Sequence, residues 1–319
     1  MFLKFIFLAL FSINYAGVTN DEPERKNIRS LNTFAKAGIY FSDIQKLKIQ
    51  GGLSVVYSAY MTDLYLTPSG PFKVILKVST ESFEVGEREC DILKKASNFK
   101  RTDIVKVHSC HPDSKFKSMT IVMEYIDGSD MFDWCRKHKT ILISAAKPIL
   151  KSIASAVLFI HSNGIFHRDI KLENIMMRYP DTDFPDPVLI DFGHASTNIN
   201  GTSLAGSYFN TAPEYFNKKE ISEEVQYEPA DVYALGILFM IFLSTDTVGI
   251  PHDPTDSDLQ NYWQHVGSIV GKSELLMERV SDYTTEDGVN AQDLISGMIA
   301  QNPENRLNMK QVVDHPFFE

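Results

Sequence analysis

Between residues 49 and 123 the chain alternates apolar and polar positions in short runs; from residue 147 onward its apolar residues recur at helical spacing. Phe72-Lys73-Val74-Ile75-Leu76-Lys77-Val78 alternates as a strand with one buried face does. Ile49 to Ser58 places the pair Gly51-Gly52 between two alternating segments, which predicts a hairpin. Residues 104–110 and 119–123 predict two further strands, and Glu87 to Lys95 has helical composition, with Glu89 and Leu93 on one face. Lys147 to His161 carries Ile149, Leu150, Ile153, Ala156, Val157 and Ile160 as a helical stripe, with Pro148 acceptable in the first turn. Val232 to Leu243 is apolar almost all round; it is too short for a bilayer and suits a buried central helix. Ile165-Phe166 and Val188-Leu189-Ile190 read as short buried β-segments.

A chain of 319 residues can bury a substantial core in one large or two modest domains. Its net charge of -10, with 41 acids against 31 bases and no long basic run, argues against nucleic acid or an anionic membrane as the partner of the whole surface. The three cysteines, Cys90, Cys110 and Cys135, form no CxxC pair and no zinc spacing. Such a sparse, odd set predicts buried or idle thiols, as in a reducing compartment. The N-terminus points the other way. Met1 to Lys4 is a positively charged start, Phe5 to Ile13 an apolar block, and Ala16-Gly17 supplies small residues, so residues 1–16 have the build of a secretory signal peptide too short to span a bilayer. The alternative is an N-terminal apolar strand or helix on a cytoplasmic protein. Residues 17–40 read as a polar lead-in.

The candidate chemistry lies in His167-Arg168-Asp169-Ile170-Lys171-Leu172-Glu173-Asn174 and in Asp191-Phe192-Gly193. Two acids, an amide and a lysine at these spacings suit phosphoryl transfer, which needs a group to accept a hydroxyl proton, a cation for the moving phosphoryl group and ligands for metal ions. Together with Ala212-Pro213-Glu214, these residues resemble the catalytic loop, metal-binding motif and APE motif of eukaryotic protein kinases, in the family's order.

The resemblance covers residues 41–318 and implies an α+β, bilobal fold, with a small β-rich N-lobe at about 41–124 and a larger, mainly helical C-lobe at about 127–318. It implies ATP between the lobes and Mg2+ on Asn174 and Asp191, with Asp169 as the acid that accepts the proton and Lys171 offsetting phosphoryl charge. Lys77 in Val-Ile-Leu-Lys would bind the phosphates, paired with Glu89; Lys73 and Glu87 compete for these roles. The glycine-rich loop would comprise Ile49, Gly51, Gly52, Ser54 and Val56, although Ile49 and Ser54 stand where the family's pattern has glycine. Main-chain groups of Glu124 and Ile126 would bond adenine, and Asp130 the ribose. Ser203 is the expected regulatory phosphosite, with Thr202 and Thr197 as alternatives and Arg168 as the counter-charge. Asp231 would anchor the catalytic loop and Arg306 would pair with Glu214. Lys171 two residues after the acid is the serine/threonine pattern, so the implied partner is a protein serine or threonine, and a monomer is expected. The rival is a pseudokinase that binds without transferring phosphate. Asn200-Gly201-Thr202 is a glycosylation sequon within the same segment as Ser203.

Overall fold

The computed structural model describes residues 39–47, 54–63, 70–79, 83–97, 101–114, 117–138, 141–182, 185–203, 210–216, 222–243 and 284–319. The alternating segments form an antiparallel sheet of five strands, β1 (Ile39–Lys46), β2 (Ser54–Asp63), β3 (Phe72–Ser79), β4 (Val107–Asp113) and β5 (Ser118–Glu124), in the order β1-β2-β3-β5-β4. On one face Tyr57, Ala59 and Met61 of β2 pack with Val74, Leu76 and Val78 of β3 and with Val122. The two-residue steps follow from the pleat, which turns alternate side chains to one side. Helix α1 (Phe83–Ser97) buries Cys90, Leu93 and Ala96.

Three sequence expectations need correction in this unit. First, Cys90 of α1 and Cys110 of β4 are joined by a disulfide, while Cys135 is free and buried; the three are not all idle thiols. The pair is separated by 20 residues in sequence, and it is the packing of helix beside strand that brings the two together. Closing a loop of that size restricts the unfolded chain and contributes about 3 kcal/mol. Second, β1 begins at Ile39, inside the expected lead-in. Third, β4 begins at Val107 rather than residue 104. Ile104 and Val105 instead pair with Leu189, the Val105 N–H donating to the Leu189 carbonyl at 3.0 Å. Ile49, Gly51 and Gly52 lie outside the described residues, so the hairpin turn does too; Ser54 and Val56 are in β2.

The second compact unit comprises residues 95–105 and 126–319. A small sheet of β6 (Gly128–Asp130), β7 (Ile175–Arg178) and β8 (Asp186–Leu189) leads out of the loop at 167–174 through β7 and toward Asp191 through β8. Helices α2 (Met131–His138) and α3 (Ile143–Ser162) precede that loop, and the two-residue strands β9 (Asn200–Gly201) and β10 (Val225–Gln226) pair ahead of helix α4 (Tyr227–Leu243). Helices α5 (Glu286–Met298) and α6 (Met309–Val313) close the chain. Helix α3 starts at Ile143, a turn earlier than expected, so Pro148 is interior to it. Ile143 and Ala146 are buried, and that burial favours continuing the helix despite the N–H that Pro148 lacks. Although α3 has the length and apolarity of a membrane span, Leu150, Val157 and Ile160 are fully buried in the protein, as in a core helix. Residues 259–270, including Trp263, lie outside the described residues.

Every residue of α4 from Ala230 to Leu243 is buried, which accounts for its lack of a polar face. Gly236 is the point of closest approach: a Cβ there would stand 2.7 Å from Ile299 Cγ2 and 2.8 Å from Met298 Cβ. Gly236→Ala gains about 1 kcal/mol of helix propensity but overpacks this crossing by about 1–3 kcal/mol. The expected outcome is a net loss of up to about 2 kcal/mol, read as a lower urea midpoint at unchanged slope.

Candidate active site

The loop after α3 is held from below by one carboxylate. Asp231, 1% exposed at the start of α4, accepts the N–H of His167 through Oδ2 and that of Arg168 through Oδ1, each at 2.7 Å. His161 Nε2 lies 2.9 Å from the same Oδ2. A buried carboxylate is stable only when its oxygens are satisfied, and these three contacts do so. They also hold Arg168 at φ 67°, a left-handed backbone that costs a residue with a side chain about 1–3 kcal/mol. The His167 ring completes the floor, its Nε2 lying 3.0 Å from the Ile190 carbonyl and its ring edge-on to Phe192.

On this floor Asp169, Lys171 and Asn174 converge. Asn174, at the end of a 3₁₀ turn (Leu172–Asn174), donates Nδ2 to both the carbonyl and Oδ2 of Asp169 at 2.8 Å. Lys171 Nζ stands 3.0 Å from the same Oδ2. The Ile190 N–H donates to the Asn174 carbonyl at 2.9 Å and so ties the segment carrying Asp191 to this loop. Asp191 has φ 60° and accepts the Gly193 N–H at 3.1 Å. His194, which the sequence reading passed over, has its pKa lowered chiefly by burial, while the carboxylates of Asp169 and Asp191 pull it up. Both acids therefore act on one imidazole; their sequence spacing does not reveal this.

In the other unit, Lys77 Nζ meets Glu89 Oε1 at 2.7 Å, with the two side chains 11% and 3% exposed. The competitors point elsewhere: Lys73 lies 3.9 Å over the Tyr125 ring, and Glu87 is exposed. The Glu124 N–H donates to the Lys106 carbonyl at 2.9 Å, continuing the β4–β5 pairing. Ile126 is buried. Asp130 caps α2, its Oδ1 accepting the Asp133 N–H at 2.8 Å. Burial raises the Asp130 pKa, and the charges of Asp133 and Glu173 add to the rise.

Arg168 reaches from the loop to Ser203. Its Nη2 donates to the Ser203 hydroxyl and carbonyl, both at 2.9 Å, while Nη1 meets the His194 carbonyl at 3.3 Å and the guanidinium lies 4.2 Å over the Tyr227 ring. Asn200 of the sequon is exposed and donates Nδ2 to Glu224 at 2.9 Å. Farther along, Arg306 grips Glu214 with both terminal nitrogens, at 2.8 and 3.0 Å, and also donates to the Pro229 and Ala300 carbonyls. The Arg306 side chain is fully buried and Glu214 is 14% exposed. Arg306→Met should leave Glu214 without its counter-charge and cost about 3–5 kcal/mol, measured by urea unfolding. Arg306→Lys should recover only part of this, because one ammonium cannot make the forked contact.

Residues 50–318 match the protein kinase domain model. The chain is 30% identical over 253 residues to serine/threonine-protein kinase cds1 of Schizosaccharomyces pombe, covering 77% of this chain and 50% of that protein. It is 27% identical over 305 residues to serine/threonine-protein kinase RAD53 of Saccharomyces cerevisiae, covering 89% of this chain and 34% of that one. Calcium-dependent protein kinase 21 of Oryza sativa subsp. japonica is 30% identical over 220 residues, covering 68% of this chain and 36% of the relative. The chain thus spans half or less of the length of these relatives. With an α+β fold whose five-stranded sheet precedes a mainly helical unit, and with a domain match over most of its length, the chain belongs to the protein kinase family.

Proposed function

We propose that this chain is an active serine/threonine protein kinase that transfers the γ-phosphoryl group of ATP to a protein hydroxyl, with the catalytic domain at residues 41–318. The observation that carries this reading is the Asp169 carboxylate, 6% exposed and held by Asn174 and Lys171 above the Asp231 clamp. Asp169 orients the substrate hydroxyl and accepts its proton; Lys171 offsets charge on the moving group. Lys77, held by Glu89, binds the phosphates of the nucleotide. The Glu124 carbonyl and Ile126 bond adenine, and Asp130 serves the ribose with what capping leaves of its carboxylate.

The donor set also fits a magnesium site. Asn174 commits its amide nitrogen to Asp169, which leaves its oxygen as the hard donor for a cation, and Asp191 supplies a carboxylate. Magnesium, when bound, neutralises charge on the nucleotide phosphates. Arg168 supports Ser203 as the regulatory phosphosite, because the guanidinium already touches its hydroxyl. The Cys90–Cys110 bond supports maturation of the chain in the oxidising secretory pathway, where such bonds persist, over a cytoplasmic location.

Ile49 and Ser54 at glycine positions favour the second reading, a pseudokinase scaffold. Transfer of labelled γ-phosphate from magnesium ATP to serine, threonine and tyrosine peptides separates the two. Asp169→Asn should lower kcat about 10²–10⁴-fold with nucleotide binding retained, as in loss of a general base. ATP binding with no transfer by the wild-type chain, even when Ser203 is phosphorylated, would sink the enzyme reading. Ser203→Ala should abolish any activation that accompanies phosphate at this residue, followed by peptide mass spectrometry beside the transfer rate.

A further inference from the structure

The disulfide joins the helix of the phosphate-binding ion pair to the sheet at the residue next to that pair. Glu89 meets Lys77 of β3 at 2.7 Å, and the very next residue, Cys90, is bonded to Cys110 of β4, with Cα atoms 6.3 Å apart. Adjacent residues on a helix point in different directions around its axis. The ion pair and the covalent bond therefore fix α1 at two azimuths and prevent its rotation as well as its withdrawal. Without the bond, α1 keeps its ion pair and its apolar packing, which constrain rotation less than a covalent link does.

The two sulfurs differ in access: Cys90 is 2% exposed, whereas Cys110 is half-buried. Lys94 lies one turn beyond Cys90 on α1, and its charge is felt at His111, the neighbour of Cys110. Burial, with Lys94 adding to it, pushes His111 down to about 4, so this imidazole is neutral near pH 7 and the lysine is the local cation. A cation near the sulfurs favours the thiolates on which exchange depends.

We propose that Cys90–Cys110 is a reversible redox clasp on α1, opened and closed by exchange with low-molecular-weight thiols of the glutathione class. It rests on the reading of Lys77 and Glu89 as the phosphate-binding pair. In opening, an external thiolate attacks Cys110 Sγ, the S–S bond breaks, and Cys90 leaves as a thiolate that takes up a proton. A second external thiol attacks the mixed disulfide, freeing the Cys110 thiol and releasing the external disulfide. Two external thiols are oxidised to one disulfide while the protein bond is reduced to two thiols; two electrons and two protons are transferred. Closing is the reverse. The closed form holds Glu89 on Lys77; the open form lets α1 turn and lowers the fraction of chains in which the pair is formed.

The full chain is purified without reductant, equilibrated in glutathione buffers of graded thiol-to-disulfide ratio, and alkylated for peptide mapping. Hydrogen exchange of residues 83–97 and phosphoryl transfer are followed in the same buffers. Opening should raise exchange in 83–97 at least tenfold and lower kcat/KM for ATP several-fold, both reversing on reoxidation. Cys110→Ser should behave as the open form in every buffer, whereas Cys135→Ser should respond as the wild type does. Should Cys110→Ser fail to fold, the reduced wild-type chain supplies the open form. Unchanged exchange in 83–97 on opening, or both thiols alkylated in the oxidising buffers, overturns the clasp. Exchange that responds while no buffer yields transfer, even from ATP-bound chains phosphorylated at Ser203, upholds the clasp and overturns the reading as an active enzyme.

Discussion

The loop from His167 to Asn174 depends on the carboxylate of Asp231. It receives two consecutive backbone N–H groups and a histidine nitrogen in a site almost closed to water, where leaving any of these groups unpaired would cost several kcal/mol. That cost makes the loop's conformation obligatory rather than one of many. Arg168 accepts a left-handed backbone, and Asp169 emerges at the point where Asn174 and Lys171 can hold it. The clamp is rigid because α4 is buried along nearly its whole length. A charged side chain can stand at the start of so apolar a helix only when its neighbours satisfy it.

The same principle recurs on a smaller scale. Arg306 is wholly buried and forks onto Glu214 and two carbonyls, so the APE segment is tied to the closing helices through a satisfied charge. Arg168 is anchored by its backbone to Asp231 and by its side chain to Ser203, so it joins the rigid loop to a segment whose serine is exposed. In the sheet unit, the ion pair of Lys77 and Glu89 and the adjacent disulfide hold α1 by an electrostatic and a covalent link of very different environmental sensitivity. The first responds to charge and solvent access, the second to redox poise.

Several site assignments were legible because local chemistry left little choice. The spacing of Asp169, Lys171 and Asn174 within one turn of chain makes their convergence a matter of backbone reach. Lys77 could not be separated from Lys73 by alternation, since both occupy the same face of β3; only the position of α1 assigns Lys77 to Glu89 and leaves Lys73 over Tyr125. His194 carried no signal, because a histidine after a glycine resembles any other until the two acids are placed around it. The Glu124 N–H belongs to the strand ladder, because pairing with residue 106 continues one residue beyond the expected strand end.

The sequence by itself determined the strand-rich start, the buried central helix, the loop chemistry and the family resemblance, because two-residue and helical periodicities and a contiguous motif are local properties. The tertiary structure decided what depends on distant residues meeting. It joined Cys90 to Cys110 where odd cysteine number had suggested idle thiols, and started α3 before Pro148 because burial of Ile143 and Ala146 favours it. In each case the deciding energy is a contact between segments far apart in the chain, or a burial that only the assembled fold creates, and neither is a property of any short stretch of sequence.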